Sequence, residues 1–360
     1  MVNKIKSLAF LLLAFNLNQC QMNKEVPEFQ VEISQPENKF SVRPVSDEIR
    51  TLEGIYAGLP YGGSSGKWGD SGKGWTEQHG TPSGADIVYF SEYEEKFYHL
   101  NVDFDQEKIK VLMKRAYARI DDKKEETQEY KELGRSYVSG QNQAYDSFSA
   151  LVFGFAPKGM VVVWLRFGFG NTQIELDRFQ AIEVTDHQLI SKSKKKYLDD
   201  FRITEDQFKE ANKKYLIPNA SPELWDNYRK RYQWAPIATS QNKNFELLQI
   251  ITHYYNGERE NMLRPWVKNP PVRQRGIPSQ LQVFWQTGKE SDQRKVAEIY
   301  LDWNEVEKAF NSSHNKNIKA EISEDNSSIQ LTIDGNPLKA DSIRIFPWPS
   351  RWEQNYKGID

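Results

Sequence analysis

The chain contains a long series of short runs in which apolar and polar positions alternate at the period of a β-strand. A two-residue period places the apolar side chains on one face of a strand, and β-branched and aromatic residues suit a pleated sheet. The turn residues Pro157-Lys158-Gly159 separate two runs and predict a hairpin. The predicted strands are Ile87–Phe90, Phe97–Val102, Ala150–Phe155, Met160–Phe167, Gln173–Val184, Phe245–Tyr255, Leu281–Trp285, Ile329–Ile333 and Ile343–Phe346.

Helical spacing occurs in fewer places. Asp105 precedes one apolar stripe that extends to Ile120 and predicts a capped helix. The lysine run 192–196 is interpreted as a solvated turn, with an anionic lipid headgroup as the alternative. Three further helix starts are predicted, at the Thr204/Gln207 capping box, at Ser221-Pro222 and at Asn304/Glu307. The fold class is therefore predicted to be α+β and β-rich.

Two parts of the chain resemble one another in the order of their turn and cap residues. Gly80-Thr-Pro-Ser83 and Gly276-Ile-Pro-Ser279 each precede a predicted strand, with their prolines 196 residues apart. Asp103 and Asp302 each precede a predicted helix and are 199 residues apart. A duplicated unit gives this pattern, and so do two unrelated units that use the same turn chemistry. We predict two similar antiparallel-sheet units, each with a packed helix.

These patterns predict five segments along the chain. The second segment is polar and contains three prolines, which is typical of a flexible tether. The fourth is charged and helical and connects the two sheet units. The predicted segments are a lipoprotein signal peptide at 1–20, the tether at 21–47, the first β-rich unit at 48–190, the helical connector at 191–242 and the second β-rich unit at 243–360.

The N-terminal residues have the pattern of an export signal. Lys4 and Lys6 precede an apolar run, Leu8–Phe15, that is too short to span a bilayer as a helix. Cys20 follows, where bacterial lipoproteins carry their acylated cysteine. Gln19 departs from that pattern, and an ordinary signal with a coincidental cysteine is the alternative. We predict a lipid on Cys20 and a location in the bacterial cell envelope, on the periplasmic side or the cell surface.

The amino-acid composition excludes several kinds of chemical site. Cys20 is the only cysteine, so the rest of the chain has no disulfide, cysteine-ligated zinc or cysteine nucleophile. The net charge of −2 gives no sign of nucleic-acid binding. No two of the five histidines have metal-ligand spacing. We predict no metal, no cofactor and no nucleic-acid partner.

The segment 59–82 is rich in glycine and contains Trp68 and Trp75. It is either a surface loop pinned by its tryptophans or a binding loop that exposes them for stacking on a sugar or protein. His79 lies at its end and is either a general base or an ordinary loop histidine. The letters around Ser64 match a hydrolase nucleophile elbow, but the glycines after it do not favour the required helix.

Two more residues are candidates for binding. Tyr255 lies at the end of a predicted strand, beside an Asn-Gly turn signal. Arg275 follows a Pro-Pro pair, and aromatic and arginine residues together are typical of interaction hot spots. The predicted binding residues are Trp68, Trp75, His79, Tyr255 and Arg275, and no catalytic residue is predicted.

Several short motifs are spread along the chain. They are Trp-Gly-Asp-Ser-Gly from Trp68, Gly159 to Trp164, Arg178-Phe-Gln-Ala181, His253-Tyr-Tyr-Asn-Gly-Glu258, Ile277-Pro-Ser279 and Val283-Phe-Trp285. With these motifs the chain resembles the bacterial lipoprotein family of domain of unknown function 2931. The resemblance implies an exported lipoprotein without an established activity. Some lipoproteins of this kind are associated with immunity to secreted toxins.

The function expected from the sequence is a non-catalytic binding protein of the cell envelope that recognises a protein or a glycan. Its other partner is the membrane, through the N-terminal lipid. Two alternatives stay open: an envelope hydrolase that uses His79 or a pair of carboxylates, and an immunity protein for a secreted toxin.

Overall fold

A computed structural model describes residues 26–116, 131–132, 148–167, 172–263, 266–288, 290 and 293–348. The predicted signal peptide, Cys20 and the first five residues of the predicted tether lie outside the described residues. The described chain is α+β and rich in strands, which confirms the predicted fold class. None of the described helices is both long enough and apolar enough to cross a bilayer.

One ten-stranded sheet extends through both halves of the described chain. Adjacent strands in this sheet are antiparallel except for one parallel pair, Glu28–Ser34 (β1) and Phe148–Phe155 (β8). In spatial order its strands are β22 (Ser342–Pro347), β18 (Arg294–Tyr300), β17 (Pro278–Gln286), β14 (Glu246–Tyr254), β15 (Arg259–Leu263), β10 (Thr172–Gln180), β9 (Met160–Phe167), β8 (Phe148–Phe155), β1 (Glu28–Ser34) and β3 (Gly74–His79).

Two four-stranded sheets pack against this large sheet, one towards each end. The first has the order β11 (Ile182–Glu183), β5 (Lys96–Asp103), β4 (Pro82–Ser91) and β2 (Val42–Thr51). The second has the order β13 (Pro236–Ser240), β19 (Ile318–Ile322), β20 (Ile329–Ile333) and β21 (Asn336–Pro337). Two short pairs complete the strands: β6 (Arg115–Ala116) with β7 (Lys131–Glu132), and β12 (Tyr232–Trp234) with β16 (Arg273–Arg275).

The helices begin at capping residues that the sequence largely predicts. The Thr204/Gln207 capping box is present. The last helix is capped by Asp302 rather than Asn304, because the Asp302 carboxylate accepts a hydrogen bond from the Glu305 backbone amide at 3.0 Å. The α-helices are α1 (Gln106–Lys114), α2 (His187–Phe201), α3 (Glu205–Tyr215), α4 (Glu223–Asn227) and α5 (Trp303–Ser312), with 3-10 turns at Asn38–Phe40, Pro157–Gly159 and Trp266–Lys268.

The same connectivity occurs twice along the chain. In each half an antiparallel pair leads into a helix: β4, β5 and α1 in the first, β17, β18 and α5 in the second. In each half the first strand then pairs in parallel with the strand after that helix, β1 with β8 and β13 with β19. The two halves therefore repeat one folding unit.

Two matching hydrogen bonds align the units. The Phe104 amide donates to the Ser83 carbonyl at 2.9 Å, and the Leu301 amide donates to the Ser279 carbonyl at 3.0 Å. Asp105 caps α1 just as Asp302 caps α5. Asp302 therefore corresponds to Asp105, whereas the sequence pattern had paired it with Asp103.

Each unit buries its own core between two sheets. In the first, Ile33 and Phe153 of the large sheet share one apolar cluster with Ile87 of the small sheet. In the second, Val283 and Ile322 cluster with Val306 of α5. The units meet where β10 pairs with β15, through Gln173 and Arg259. We call this junction the seam.

The predicted segment boundaries differ from the structure in two places. Most of the predicted tether is folded, because Phe29, Val31 and Ile33 alternate with polar residues and bury against β8. The predicted connector is not a separate segment. Its helices α2 and α3 cover the outer face of the first small sheet, where Tyr197 packs against Phe90, and β13 already belongs to the second unit.

Two smaller expectations also differ. The lysine run 192–196 lies within α2, which Asp186 caps by accepting hydrogen bonds from two backbone amides, so the predicted turn is wrong. The helix predicted to extend to Ile120 ends at Lys114. Residues 117–120 of that prediction lie outside the described part of the chain.

Candidate functional site

The glycine-rich segment docks at the seam through a tight turn. Lys67 and Asp70 exchange backbone hydrogen bonds at 2.8 and 2.9 Å. Gly69 between them has a φ of +74°, and a Cβ there would lie 2.7 Å from both the Cα and the carbonyl oxygen of Gly257. Only glycine therefore lets this turn touch the Asn-Gly turn of the second unit.

A buried ionic network lies beneath this contact. The Arg166 guanidinium donates to Glu32 at 2.6 Å and to the Gln173 side-chain oxygen at 2.8 Å. The Gln173 amide donates in turn to the carbonyl oxygens of Gly69 and Gly257, both at 2.6 Å. One strand of the first unit thus binds the backbone of both turns, so the network holds the glycine-rich segment on the seam.

On one side of the segment lies an open cleft of about 520 Å³. Three of its aromatic side chains are exposed, Tyr56 by 60%, Tyr61 by 76% and Trp75 by 43%. We call this space the aromatic cleft. Tyr61 is held in place because its hydroxyl donates to the Asp200 carbonyl at 2.8 Å and its ring stacks on Phe201.

Ammonium and carboxylate groups lie among these rings. Lys73 and Lys196 line the cleft together with Asp47 and Asp200. Burial lowers the pKa of Lys73, with a further contribution from the nearby Arg43 charge. Burial raises the pKa of Asp47, which accepts a hydrogen bond from the Leu59 amide at 2.6 Å. The cleft thus offers both hydrogen-bond donors and acceptors between aromatic surfaces.

On the other side of the segment lies a smaller cavity, of about 260 Å³. Its residues come from both units, so it opens at the seam, and we call it the seam cavity. One wall is aromatic: Tyr228 and Tyr255 have centroids 4.9 Å apart, and Trp68 and Trp225 have centroids 6.3 Å apart. The polar wall consists of Glu37, Lys67, Asp70, His253, Glu258, Arg259 and Ser279.

His253 is a neutral group in this wall. Burial, together with the nearby charges of Arg259 and Lys67, lowers its pKa from 6.5 to about 3. The imidazole therefore carries no positive charge at neutral pH, although two cations lie close to it.

This depressed pKa predicts a pH effect on stability. Between pH 6.5 and pH 3 the unfolded chain binds a proton at His253 and the folded chain does not, so acidification through this range destabilises the fold. Urea unfolding at pH 7.5 and pH 4.5 should show a smaller loss of stability for His253→Gln than for the native protein. Equal losses in the two proteins would contradict the shift.

The structure separates the predicted binding residues. Trp75 borders the aromatic cleft, whereas Trp68 is half-buried edge-on against Trp164, with centroids 5.1 Å apart. Tyr255 lines the seam cavity, and its hydroxyl donates to the Leu301 carbonyl at 2.7 Å. The two tryptophans therefore do not form one stacking surface.

Arg275 is not at the surface. It is 3% exposed, donates to Glu260 at 2.7 Å and donates to the Trp234 and Pro271 carbonyls. The predicted surface role is therefore wrong, and Arg275 ties β16 to β15.

The residues proposed for hydrolysis do not form a catalytic set among the described residues. His79 is exposed at the end of β3 and hydrogen-bonds to no described side chain. Asp70 lies between two guanidinium groups, 3.6 Å from Arg166 and 3.5 Å from Arg259. The Ser64 hydroxyl donates to Gln35 at 2.6 Å. The described residues also contain no group of three or more potential metal-binding His, Cys, Asp or Glu side chains.

Sequence reasoning did not find Tyr56, Tyr61 or Arg259. The two tyrosines lie just before and within the glycine-rich segment. Considering all aromatic residues in and beside this segment, and not only its tryptophans, would have identified them. Arg259 lies in the His253–Glu260 stretch, but nothing local shows that it lines the same cavity as Lys67 of the other unit.

Comparison with known proteins places the chain in a family but gives no activity. No curated protein and no protein of solved structure matches it. A family model with the description "Protein of unknown function (DUF2931)" matches residues 19–222, which is more than half of the chain. The match includes all strands from β1 to β11 and ends before the second unit begins at β13. The chain belongs to this DUF2931 family of proteins of unknown function.

Proposed function

We propose that the protein is a non-catalytic binding protein of the cell envelope and that its aromatic cleft binds a glycan. The observation that carries this proposal is the exposure of Tyr56, Tyr61 and Trp75 around one cleft of about 520 Å³. This size is that of a small-ligand site, and such sites combine aromatic walls with a few polar groups.

The composition of the cleft favours a sugar. Aromatic faces stack on the apolar faces of sugar rings, and the hydroxyl groups of a sugar need donors and acceptors at its edges. Lys73 and Lys196 supply donors, and Asp47 and Asp200 supply acceptors. A protein hot spot is instead a well-packed and desolvated pocket, whereas this cleft is open and contains charges.

The proposed location is a membrane surface, through a lipid on Cys20. Only seven residues separate Cys20 from the first strand at Glu28. A chain of this length spans at most about 25 Å when fully extended. The proposed anchor therefore holds the fold close to the lipid surface, where it meets the glycans of the envelope.

Replacing two cleft aromatics should weaken glycan binding. In Tyr61→Ala/Trp75→Ala, the loss of both stacking faces should weaken binding to an array of bacterial envelope glycans by at least about tenfold. Phe346→Ala is the matched control, since Phe346 is 40% exposed on β22 at the opposite edge of the sheet.

A pull-down from the protein's own envelope tests whether the ligand is a protein instead of a glycan. The proposal requires that captured glycan is lost with the double variant and kept with Phe346→Ala. Capture of one protein by both variants, with no bound glycan, would refute the glycan assignment and favour a protein partner such as a toxin.

A further inference from the structure

Arg259 in the seam cavity is a nearly buried cation with unfilled hydrogen-bonding capacity. Its side chain is 14% exposed. Among the described residues it makes one ion pair, to Asp70 at 3.5 Å, and no hydrogen bond. A guanidinium has five N–H donors, and a charge-assisted hydrogen bond is 2.7–2.9 Å long. Burial lowers the pKa of Arg259, and the neighbouring Arg166 charge contributes to this.

Lys67 places a second cation on the same wall. It is exposed and forms no ion pair with any described residue. Both cations contribute to the lowered pKa of His253, which stays neutral. The cavity thus contains the Lys67 ammonium group, the Arg259 guanidinium group and an uncharged imidazole.

The carboxylates of the cavity are already engaged. Asp70 is shared with Arg166, 3.6 Å away. Glu258 pairs with Arg231 at 2.7 Å and accepts from the Asn256 amide at 2.9 Å. Glu37 pairs with Lys39 at the surface, at 3.0 Å. None of these carboxylates forms an ion pair with Lys67. The 3.5 Å between Asp70 and Arg259 is longer than a charge-assisted hydrogen bond.

The aromatic lining of the cavity suits a flat apolar group. It comprises Trp68, Trp225, Tyr228 and Tyr255. The Trp68 indole N–H is buried without a hydrogen-bond partner among the described residues. An aromatic lining in the same cavity as unfilled cationic donors matches a ligand with a flat body and an anionic head.

We infer that the seam cavity binds a small molecule that carries a carboxylate or phosphate group, with Arg259 and Lys67 on the anion and the aromatic wall on its body. This site is separate from the aromatic cleft and does not depend on glycan binding. It lies between the two units, so the ligand contacts residues of both.

The test is calorimetric titration of the protein, purified from membranes in a nonionic detergent, with three related probes. Benzoate and phenyl phosphate carry the two anionic groups, and benzyl alcohol is the neutral comparison. At least one anion should bind more tightly than benzyl alcohol. Binding by benzoate alone identifies a carboxylate ligand, and binding by phenyl phosphate alone identifies a phosphate ligand.

Two variants connect that binding to the cavity. Arg259→Gln and Lys67→Gln should each weaken anion binding by at least about fivefold, whereas Lys213→Gln, on the exposed face of α3, should not change it. Lys67→Gln decides the question if Arg259→Gln does not fold, because Lys67 is exposed. The inference is overturned if neither anion binds below about 10 mM, or if the folded variants bind the anion as tightly as the native protein.

Discussion

Arg166→Met should destabilise the protein by about 3–5 kcal/mol, which is the usual cost of removing one partner from a buried ion pair. Glu32 is 4% exposed and accepts from Arg166 at 2.6 Å. Among the described residues, the variant leaves this buried carboxylate with the Gln30 amide as its only side-chain partner. Urea unfolding at pH 7 measures the change in the free energy of unfolding.

The pH dependence of Arg166→Met tests the cause. An unpaired buried carboxylate takes up a proton more readily, so the variant should recover part of its lost stability as the pH falls from 7 to 5. Glu32→Gln/Arg166→Met removes the charge and should be more stable than Arg166→Met. Arg344→Met, on the exposed β22, should change stability by at most about 0.5 kcal/mol. A loss below about 1 kcal/mol for Arg166→Met would show that the network does not hold the seam.

Gly69→Ala should cost about 2–5 kcal/mol and separate the glycine-rich segment from the second unit. The left-handed backbone costs a residue with a Cβ about 1–2 kcal/mol, and overpacking adds about 1–3 kcal/mol. The added Cβ would lie 2.7 Å from Gly257. Thermal and urea unfolding measure the loss, and a shift in tryptophan fluorescence reports the displacement of Trp68.

Gly54→Ala is the matched control for this effect. Gly54 has a similar φ, +71°, but a Cβ there would meet no atom within 4 Å. It should therefore show the backbone cost without the collision. Equal losses for Gly54→Ala and Gly69→Ala would mean that the contact with Gly257 contributes nothing.

Periodicity was sufficient to predict most strands. Met160–Phe167 and Ile329–Ile333 form strands with the predicted bounds, because the first is an almost continuous apolar run, the second alternates apolar and polar residues, and turns flank both. The first strand was missed because Gln30 and Glu32 make its composition polar, and Glu32 is buried only through Arg166, which lies 134 residues later in the chain.

Helix α2 was missed for a similar reason. Its lysine run suggested a solvated turn, whereas Tyr197 beside it fixes the helix on the first small sheet by packing against Phe90 and Phe208. The charged local sequence therefore gave no sign of the Tyr197 packing contacts, which only the tertiary structure shows.

The two binding spaces were only partly predictable. The glycine-rich segment correctly indicated where both spaces lie. Local sequence did not show that Trp68 turns inward while Trp75 stays exposed. That difference depends on β3 pairing with β1 and on the Gly69 turn reaching Gly257. The seam cavity depends on the same contact between units, which no local pattern predicts.

Glycan recognition at the aromatic cleft is tested most directly by ¹⁹F NMR of the full-length protein labelled with 5-fluorotryptophan. The Trp75 signal is assigned with Trp75→Phe, and glycan fragments released from the protein's own envelope are then added. We predict a saturable shift of the Trp75 signal and unchanged signals for Trp164 and Trp234, which are both fully buried. A Trp75 signal that does not move at any glycan concentration would contradict the proposed function.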